Sequence, residues 1–249
     1  MKYSILHSLN YAYDSPVRSS TQYLRLTPRD TTRQKVLEWK LEAPGQPLRT
    51  QDGYGNVLHV MTIDRPVSEI VIRARGTVET SAEPDEPSDF TGTPLPALLF
   101  LRPTPLTRID EKLATLAATF RHRVDKPAGL RELAASVRKQ LGEVSAADLA
   151  HAFIACCRHL GAPARYVSGY VYSPKNGGDE RMEMHAWTEA WVVDRWRSFD
   201  VANDQPIGEA HVKIAVGADY LDSCPIRGVR TGGGLETLLA QASVIASQQ

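Results

Sequence analysis

A histidine and an aspartate on two strand-like segments are the residues of this sequence best placed to do chemistry. His185 lies in MHAWTEAW and Asp200 lies in RSFDVAND, fifteen residues further along the chain. In enzymes that attack a carbonyl carbon with a thiol or a hydroxyl, an imidazole removes the proton and a carboxylate orients the imidazole ring. The pair therefore predicts nucleophilic chemistry, provided that a helix brings a nucleophile to His185.

The helix that precedes these strands carries its cysteines at the wrong end. Ser145 and Asp148 fit the pattern of a helix N-cap, and Gly161 ends the helix. Cys156 and Cys157 then lie roughly 15 Å from the first turn, at about 1.5 Å per residue. The helix dipole at that end opposes a thiolate. We interpret both cysteines as structural, and Ser145 as a cap and not as a nucleophile.

The spacing of the His and Asp also raises a geometric problem. If Asp194 and Arg195 formed a two-residue turn, Asp200 would lie opposite Glu189. That position is four residues from His185, roughly 13 Å at about 3.3 Å per residue, which is too far for a hydrogen bond. A working pair therefore requires a bulge or a wider loop.

Each of these residues also has a purely structural interpretation. His185 could be a buried histidine that bonds a backbone carbonyl, and Asp200 could begin a turn with Asn203 and Asp204. Trp187, at strand spacing from the next tryptophan, is more typical of a core than of a substrate contact.

The first part of the chain has the periodicity of β-strands. KVLEWKLE (35–42) and EIVIRARGTVET (69–80) alternate apolar and polar residues, and DGYGN (52–56) predicts a turn between strands. Residues 79–96 are rich in Pro, Ser, Asp and Glu and predict a linker. We therefore predict one domain over residues 1–95 and a second over residues 96–249.

The second part begins with helices and ends with strands. Apolar residues at helical spacing predict helices within residues 106–120, over residues 128–141 and from Ser145 onwards. Strand patterns follow in ARYVSGYVY, HAWTEAWVV, WRSFDVA and HVKIAV, and the tail alternates in LLAQASVIA.

Composition excludes several classes of function. Lys plus Arg and Asp plus Glu both total 29, so no strong global field favours a nucleic-acid partner. No apolar run approaches the roughly 20 residues needed to span a membrane, and the N-terminus does not resemble a signal peptide. Three cysteines, two of them adjacent, do not form a disulfide framework, so we predict a cytoplasmic protein. The histidines show no metal-ligand spacing, so we predict neither a metal nor another cofactor.

Several motifs in order resemble the bacterial transglutaminase-like superfamily. LAHAFIACCRHLGAPARYVSGYVY, MHAWTEAWV and WRSFDVAND are similar to its C-x-D-x-A-H helix, its GxPARYVSGY and HAW strands and its W-x-x-x-D segment. LHSLNYAYDSPVRSSTQYLRLTPR resembles the β-rich region that precedes this core in bacterial members, and GADYLDSCPIRGVRTGGG resembles the closing segment. The resemblance implies an α+β fold. An antiparallel β-sandwich-like domain would precede a papain- or transglutaminase-like core of helices packed on an antiparallel sheet.

The resemblance also implies which residues form the site. Asp148 aligns with the family's aspartate and His151 with its histidine, so the nucleophile position falls on Ala146, where the expected cysteine is absent. His185 and Asp200 take the other two catalytic positions. Ser145, Asp148 and Trp187 are then expected to line or support the groove. The segment before the helix is shorter than the family's usual version.

Three hypotheses follow. The chain is a family member with a degenerate triad, inactive in thiol acyl transfer and retained to bind a peptide or protein. Alternatively, it is an active acyl-transfer enzyme acting on glutamine or peptide amides through an unconventional nucleophile such as Ser145. The third hypothesis is a deliberate Cys-to-Ala change in an active enzyme, against which the shortened segment counts.

Overall fold

The computed structural model describes residues 1–82, 85–86, 95–173 and 181–247. The first half is made of strands, as predicted: β1 Lys2–Leu24, β2 Gln34–Glu42, β3 Leu48–Gln51, β4 Val57–Ile63, β5 Val67–Thr80 and the short β6 Asp85–Glu86. Helices and a second set of strands follow, so the predicted α+β class is confirmed. Most of the predicted linker, residues 83–84 and 87–94, lies outside the described residues.

The long strand β1 organises the first sheet. This sheet is antiparallel with the order β2-β5-β1-β4-β3. β1 pairs with β5 through its first half and with β4 through residues 20–24, with a break in register between Ala12 and Val17. Every second residue near its start is buried, which gives it the one-sided character expected of a strand with one buried face.

The C-terminal tail returns to this first sheet. Strands β11 Ile226–Gly232 and β12 Glu236–Ser247 pair antiparallel with the second and first halves of β1. The predicted second domain includes this tail, whereas the backbone hydrogen bonds of the tail are made to the first sheet. The proposed boundary between residues 95 and 96 stays a prediction.

Three helices lie close to their predicted positions. They are α1 Glu111–Ala118, α2 Pro127–Leu141 and α3 Ala146–His159. α1 begins later than its apolar pattern indicated, because Asp110 is the N-cap and its carboxylate accepts from the Leu113 N–H. The helices enclose an apolar core with the small residues Ala186 and Ala190 of the second sheet, which allow α3 to approach it closely.

The second sheet presents the chemistry-bearing residues. Its order is β10-β7-β8-β9-β6, where the new members are β7 Ala164–Ser173, β8 Arg181–Val192, β9 Arg195–Phe199 and β10 His211–Gly217. A single helical turn, α4 Tyr220–Ser223, connects β10 to the returning tail.

The two sheets are joined by an apolar interface and by two amide side chains. Tyr3 of the first sheet packs with Val212 of the second in one buried cluster. Gln34 and Asn56, both buried, bond the backbone of the edge strand β10. Gln34 pairs with the N–H and C=O of Lys213 at 2.8 and 2.8 Å, and Asn56 pairs with those of Val216 at 2.8 and 2.7 Å. These bonds satisfy groups that an edge strand would otherwise leave unpaired, and they fix the first sheet against the second.

Within the described part of the chain, the helices are too short or too polar to cross a bilayer.

Candidate active site

The start of helix α3 is held by a side-chain cap. Ser145 Oγ accepts a hydrogen bond from the Asp148 N–H at 3.1 Å and donates one to Asp148 Oδ2 at 2.6 Å. The predicted N-cap is therefore confirmed, and its hydroxyl is engaged with Asp148. Ala146 follows as the first helical residue, so a methyl group stands where the resemblance places a thiol.

His185 and Asp200 are brought into direct contact. The His185 Nε2 atom lies 2.9 Å from Asp200 Oδ2. The separation predicted for these two residues was too long, because the turn was predicted one residue too far along the chain. The hairpin turns at Val193 and Asp194, both with positive φ, and Val192 pairs with Arg195.

Moving the turn by one residue shifts the pairing partner by two. Phe199 pairs with Thr188, so the next residue, Asp200, falls level with Trp187 and not with Glu189. The offset from His185 is then about 6.6 Å along the strand, at about 3.3 Å per residue. Two side chains on the same face span that offset, and no bulge is needed.

The Asp200 carboxylate accepts hydrogen bonds from several donors. Besides His185, its Oδ2 atom accepts from His211 Nε2 at 3.2 Å, from Asn203 Nδ2 at 2.8 Å and from Gln205 Nε2 at 3.4 Å. Its Oδ1 atom accepts from the Asn203 N–H at 3.1 Å. Burial alone would raise the pKa of Asp200, but the hydrogen bonds from His185 and His211 outweigh burial and hold that pKa well below its ordinary value. Asp200 is thus a buried carboxylate, ready to orient imidazole.

The role of His211 was not predicted from the sequence. The ring is buried, and its Nδ1 accepts from the Gly208 N–H at 3.4 Å, which leaves Nε2 to carry the proton that it donates to Asp200. The available signal for such a role was the position of this histidine at the start of the apolar strand HVKIAV. Its partner could not be found without knowing the sheet order.

Trp187 packs against the rings of both His185 and His211. It is fully buried, stacks on His185 with ring centroids 6.4 Å apart and meets His211 edge to face at 5.5 Å. Gly169, which pairs with His185 across the sheet, leaves room for this indole: a Cβ there would lie 2.4 Å from the Trp187 ring. Trp187 therefore acts through packing and does not line the cavity beside Ala146.

A cavity of about 420 Å³ connects the helix start to the imidazole. It is lined by Ala146 and His185, and by residues of both sheets such as Leu9 of β1 and Leu238 of β12. None of the described residues that line it carries a carboxylate, an ammonium or a guanidinium group. The returning tail thus forms one wall of the candidate site.

His151, which aligns with the histidine of the family's helix motif, contacts two residues of the cavity wall. Its Nε2 atom accepts the backbone N–H of Tyr220 at 3.2 Å, and its ring stacks on Tyr166 at 4.9 Å. Burial lowers the pKa of His151, which keeps the imidazole neutral and able to accept this bond. Tyr166 and Tyr220 both line the cavity.

The three cysteines are buried and serve other contacts. Burial raises the pKa of Cys156 to about 12, and it raises the pKa of Cys157 as well. The Cys224 thiol approaches the Leu221 carbonyl at 3.6 Å, and burial raises its pKa too. Among the described residues, the His185 Nε2 atom donates to Asp200, and no cysteine sulfur is among the partners of the His185 ring.

Across the described ranges, no group of three or more His, Cys, Asp or Glu side chains is arranged to hold a metal ion. The absence of a cofactor remains a prediction.

Comparisons with known proteins agree with the motifs. The model of the bacterial transglutaminase-like N-terminal region matches residues 3–79, and that of the transglutaminase-like superfamily matches residues 105–201. An uncharacterized protein of Mycobacterium leprae is 28% identical over 94% of this chain and 95% of the relative. An uncharacterized protein of Mycobacterium tuberculosis is 28% identical over 92% of this chain and 87% of the relative.

A solved structure shares the fold. The crystal structure from Cytophaga hutchinsonii named "a Putative Cysteine Protease" superposes with a TM-score of 0.73 and 20% sequence identity. The match covers 100% of this chain and 92% of that one. It extends through both sheets and the helices between them.

Proposed function

Because this chain belongs to the transglutaminase-like superfamily, we propose that it is a non-catalytic member which keeps the His–Asp pair and the cleft and uses them to bind a peptide or protein. The observation that carries the proposal is the methyl group of Ala146 at the first helical position, beside the cavity that His185 also lines. The cytoplasmic location predicted from the sequence belongs to the same proposal.

The chemistry of the family explains why this methyl group matters. Covalent acyl transfer needs an atom that attacks the carbonyl and then carries the acyl group. Removing that atom from a triad costs several orders of magnitude in rate, because binding and electrostatic stabilisation leave only a residual acceleration. His185 and Asp200 can still hold a proton, but here they have no thiol from which to remove it.

An active enzyme with Ser145 as nucleophile is the alternative. Ser145 lines the cavity, which favours this alternative. Its hydroxyl, however, donates to Asp148 and caps the helix, so an attack would break the cap and leave Asp148 without that donor. Its position before the first helical residue also differs from that of the family's nucleophile. The inactive assignment therefore has the stronger support.

The experiment compares the parent with Ala146→Cys, Ser145→Ala and the double variant Ala146→Cys with His185→Ala. The readout is ammonia release, and hydroxamate formation with hydroxylamine, from a glutamine-containing peptide. We expect turnover in Ala146→Cys alone, with the parent and the double variant at background.

Turnover by the parent that Ser145→Ala abolishes would establish the alternative instead.

A further inference from the structure

We infer that this chain forms a two-fold symmetric dimer in which strand β12 of one copy pairs antiparallel with strand β12 of a second copy. The first sheet would then continue from one copy into the other, in an interface that uses the same surface twice. The inference goes beyond the proposed function, because it concerns the outer edge of β12 and not the chemistry beside Ala146.

Strand β12 is a sheet edge with unused hydrogen-bonding groups. Its twelve residues, Glu236–Ser247, pair with β1 on one side. Among the residues that the structure describes, no other strand pairs with β12. In an antiparallel ladder every second residue points its N–H and C=O away from the partner, so about six residues of β12 present both groups outward. An uncovered edge of this length is a template for another strand.

The other edges of the first sheet are protected, whereas the edge at β12 is not. Proteins protect edge strands with charged side chains, bulges or short length. β3 has four residues, and the ladders of β2 and β11 are each interrupted by a shift of register. β2 and β11 also carry charged residues, which are Lys35, Glu38, Lys40, Glu42, Arg227 and Arg230. The ladder of β12 runs through twelve consecutive pairs, and β12 carries no charge after Glu236.

The charge pattern of β12 favours a second copy as its partner. When two identical strands pair about a two-fold axis, a charge near the middle of the strand meets its own copy, and like charges directly opposite are destabilising. The only charged residue of β12 is Glu236 at its end, where the Arg230 guanidinium lies 3.4 Å from the carboxylate. The formal net charge of the whole chain is zero, so no long-range repulsion opposes the approach of two copies.

The side chains of β12 fit the same arrangement. Leu238 and Val244 lie on one face of the strand, on which Val244 packs against the second sheet and Leu238 lines the cavity. A two-fold axis that passes Gln241 places Leu238 of each copy level with Val244 of the other. Leu238 and Leu239 are 47% and 64% exposed in a single copy, so pairing removes apolar surface from water.

The first test is sedimentation of the full-length parent, Gln241→Glu and Gln51→Glu over a range of concentrations. Both glutamines are exposed, and each change adds one negative charge with little change of shape. We expect the parent to dimerise, and Gln241→Glu to raise the dissociation constant at least about tenfold because two carboxylates meet near the axis. Gln51→Glu, on β3, should dimerise as the parent does. A parent that stays monomeric at millimolar concentration, or equal dimerisation of all three proteins, would overturn the inference.

The second test locates the contact with a disulfide. The natural cysteines are buried, so Gln241→Cys and Gln51→Cys each add one exposed thiol. Directly opposite residues of an antiparallel pair have Cα atoms about 4.5–5.5 Å apart, a distance that a disulfide spans. We expect mild oxidation to link Gln241→Cys into a covalent dimer much faster than Gln51→Cys. Equal rates of cross-linking in the two variants would contradict pairing through β12.

The outcomes separate this inference from the proposed function. If the parent is monomeric while Ala146→Cys gains turnover, the dimer is wrong and the non-catalytic assignment stands. If the parent dimerises through β12 and also releases ammonia from a glutamine peptide, the dimer stands and the non-catalytic assignment fails.

Discussion

His185 Nε2 lies 2.9 Å from Asp200 Oδ2, although the hairpin registers Asp200 level with Trp187 and not with His185. The contact is a diagonal one between two residues on the same face of the sheet. The residue level with Asp200 is Trp187, whose indole packs against the rings of His185 and His211. The pair and its packing are therefore a single arrangement.

Removing His211 tests whether Asp200 depends on its second imidazole. We expect His211→Asn to lower the free energy of unfolding by about 1–3 kcal/mol, because a buried carboxylate loses a donor and Trp187 loses a packing partner. Urea unfolding measures the change. His159→Asn, at the exposed end of α3, is the matched control and should leave stability nearly unaltered. Similar small effects in both variants would remove His211 from the site.

We predict that Gly169 is required because it leaves the space that the Trp187 indole occupies. A Cβ at this position would lie 2.3 Å from the Val212 carbonyl oxygen and 2.4 Å from the indole. We expect Gly169→Ala to destabilise the fold by about 1–3 kcal/mol, since overpacking forces neighbours to shift. Gly53→Ala, where the new methyl would meet nothing within 4 Å, is the control. A Gly169→Ala variant as stable as that control would show that the indole moves freely.

The buried histidine between the sheets predicts a pH dependence of stability. His7 Nδ1 lies 2.8 Å from the Tyr170 hydroxyl, and burial lowers the pKa of His7 to about 4. In the unfolded chain, His7 has its ordinary pKa of about 6.5, so it binds a proton at pH values at which His7 of the folded chain stays neutral. Stability is therefore full above about pH 6.5 and falls as the pH drops towards about 4.

The expected loss from His7 between about pH 7.5 and about pH 5 is about 2 kcal/mol. Urea unfolding of the parent and of His7→Gln at both values isolates it, because Gln cannot take up the proton. The parent should lose more stability on acidification than the variant does. Equal losses would mean that His7 is protonated in the folded protein.

A buried carboxylate on the same strand as His185 is bonded to two cations. Glu189 Oε2 accepts from Arg165 Nε at 2.7 Å and Oε1 accepts from Lys213 Nζ at 2.6 Å, with all three side chains almost fully buried. We expect Glu189→Gln to cost about 3–5 kcal/mol, because it leaves buried positive charge uncompensated. Thermal and urea unfolding measure the cost. Glu183→Gln, exposed on the same strand, should cost almost nothing.

Local patterns were enough to predict the elements of the site but not their relative placement. The cap at Ser145, the helix over residues 128–141 and the strands that carry His185 and Asp200 all follow from short-range periodicity and capping chemistry. These signals come from neighbours in sequence, which is why they could be interpreted without a structure.

The hairpin register was wrong for a physical reason. Val193 adopts a φ of 51°, a conformation that β-branched residues rarely take. Composition therefore favoured Asp194 and Arg195 as the turn. The cost of the unfavourable Val193 conformation is offset by the pairing of the whole hairpin, which no local pattern records.

Long-range pairing accounts for the other misses. β11 and β12 return over 200 residues of chain to pair with β1, and they supply a cavity wall that the sequence order places far away. His211 joins Asp200 in a similar way, through the order of strands in the second sheet.

The most direct test of the account is the titration of the thiol introduced by Ala146→Cys, followed by iodoacetamide labelling against pH. The parent is the blank, because its own cysteines are buried. The account predicts an apparent thiol pKa at least about one unit below the ordinary value of about 8.5, and a return to that value when His185→Ala is added. A thiol that titrates at its ordinary value in both variants would contradict the claim that the site lacks only its nucleophile.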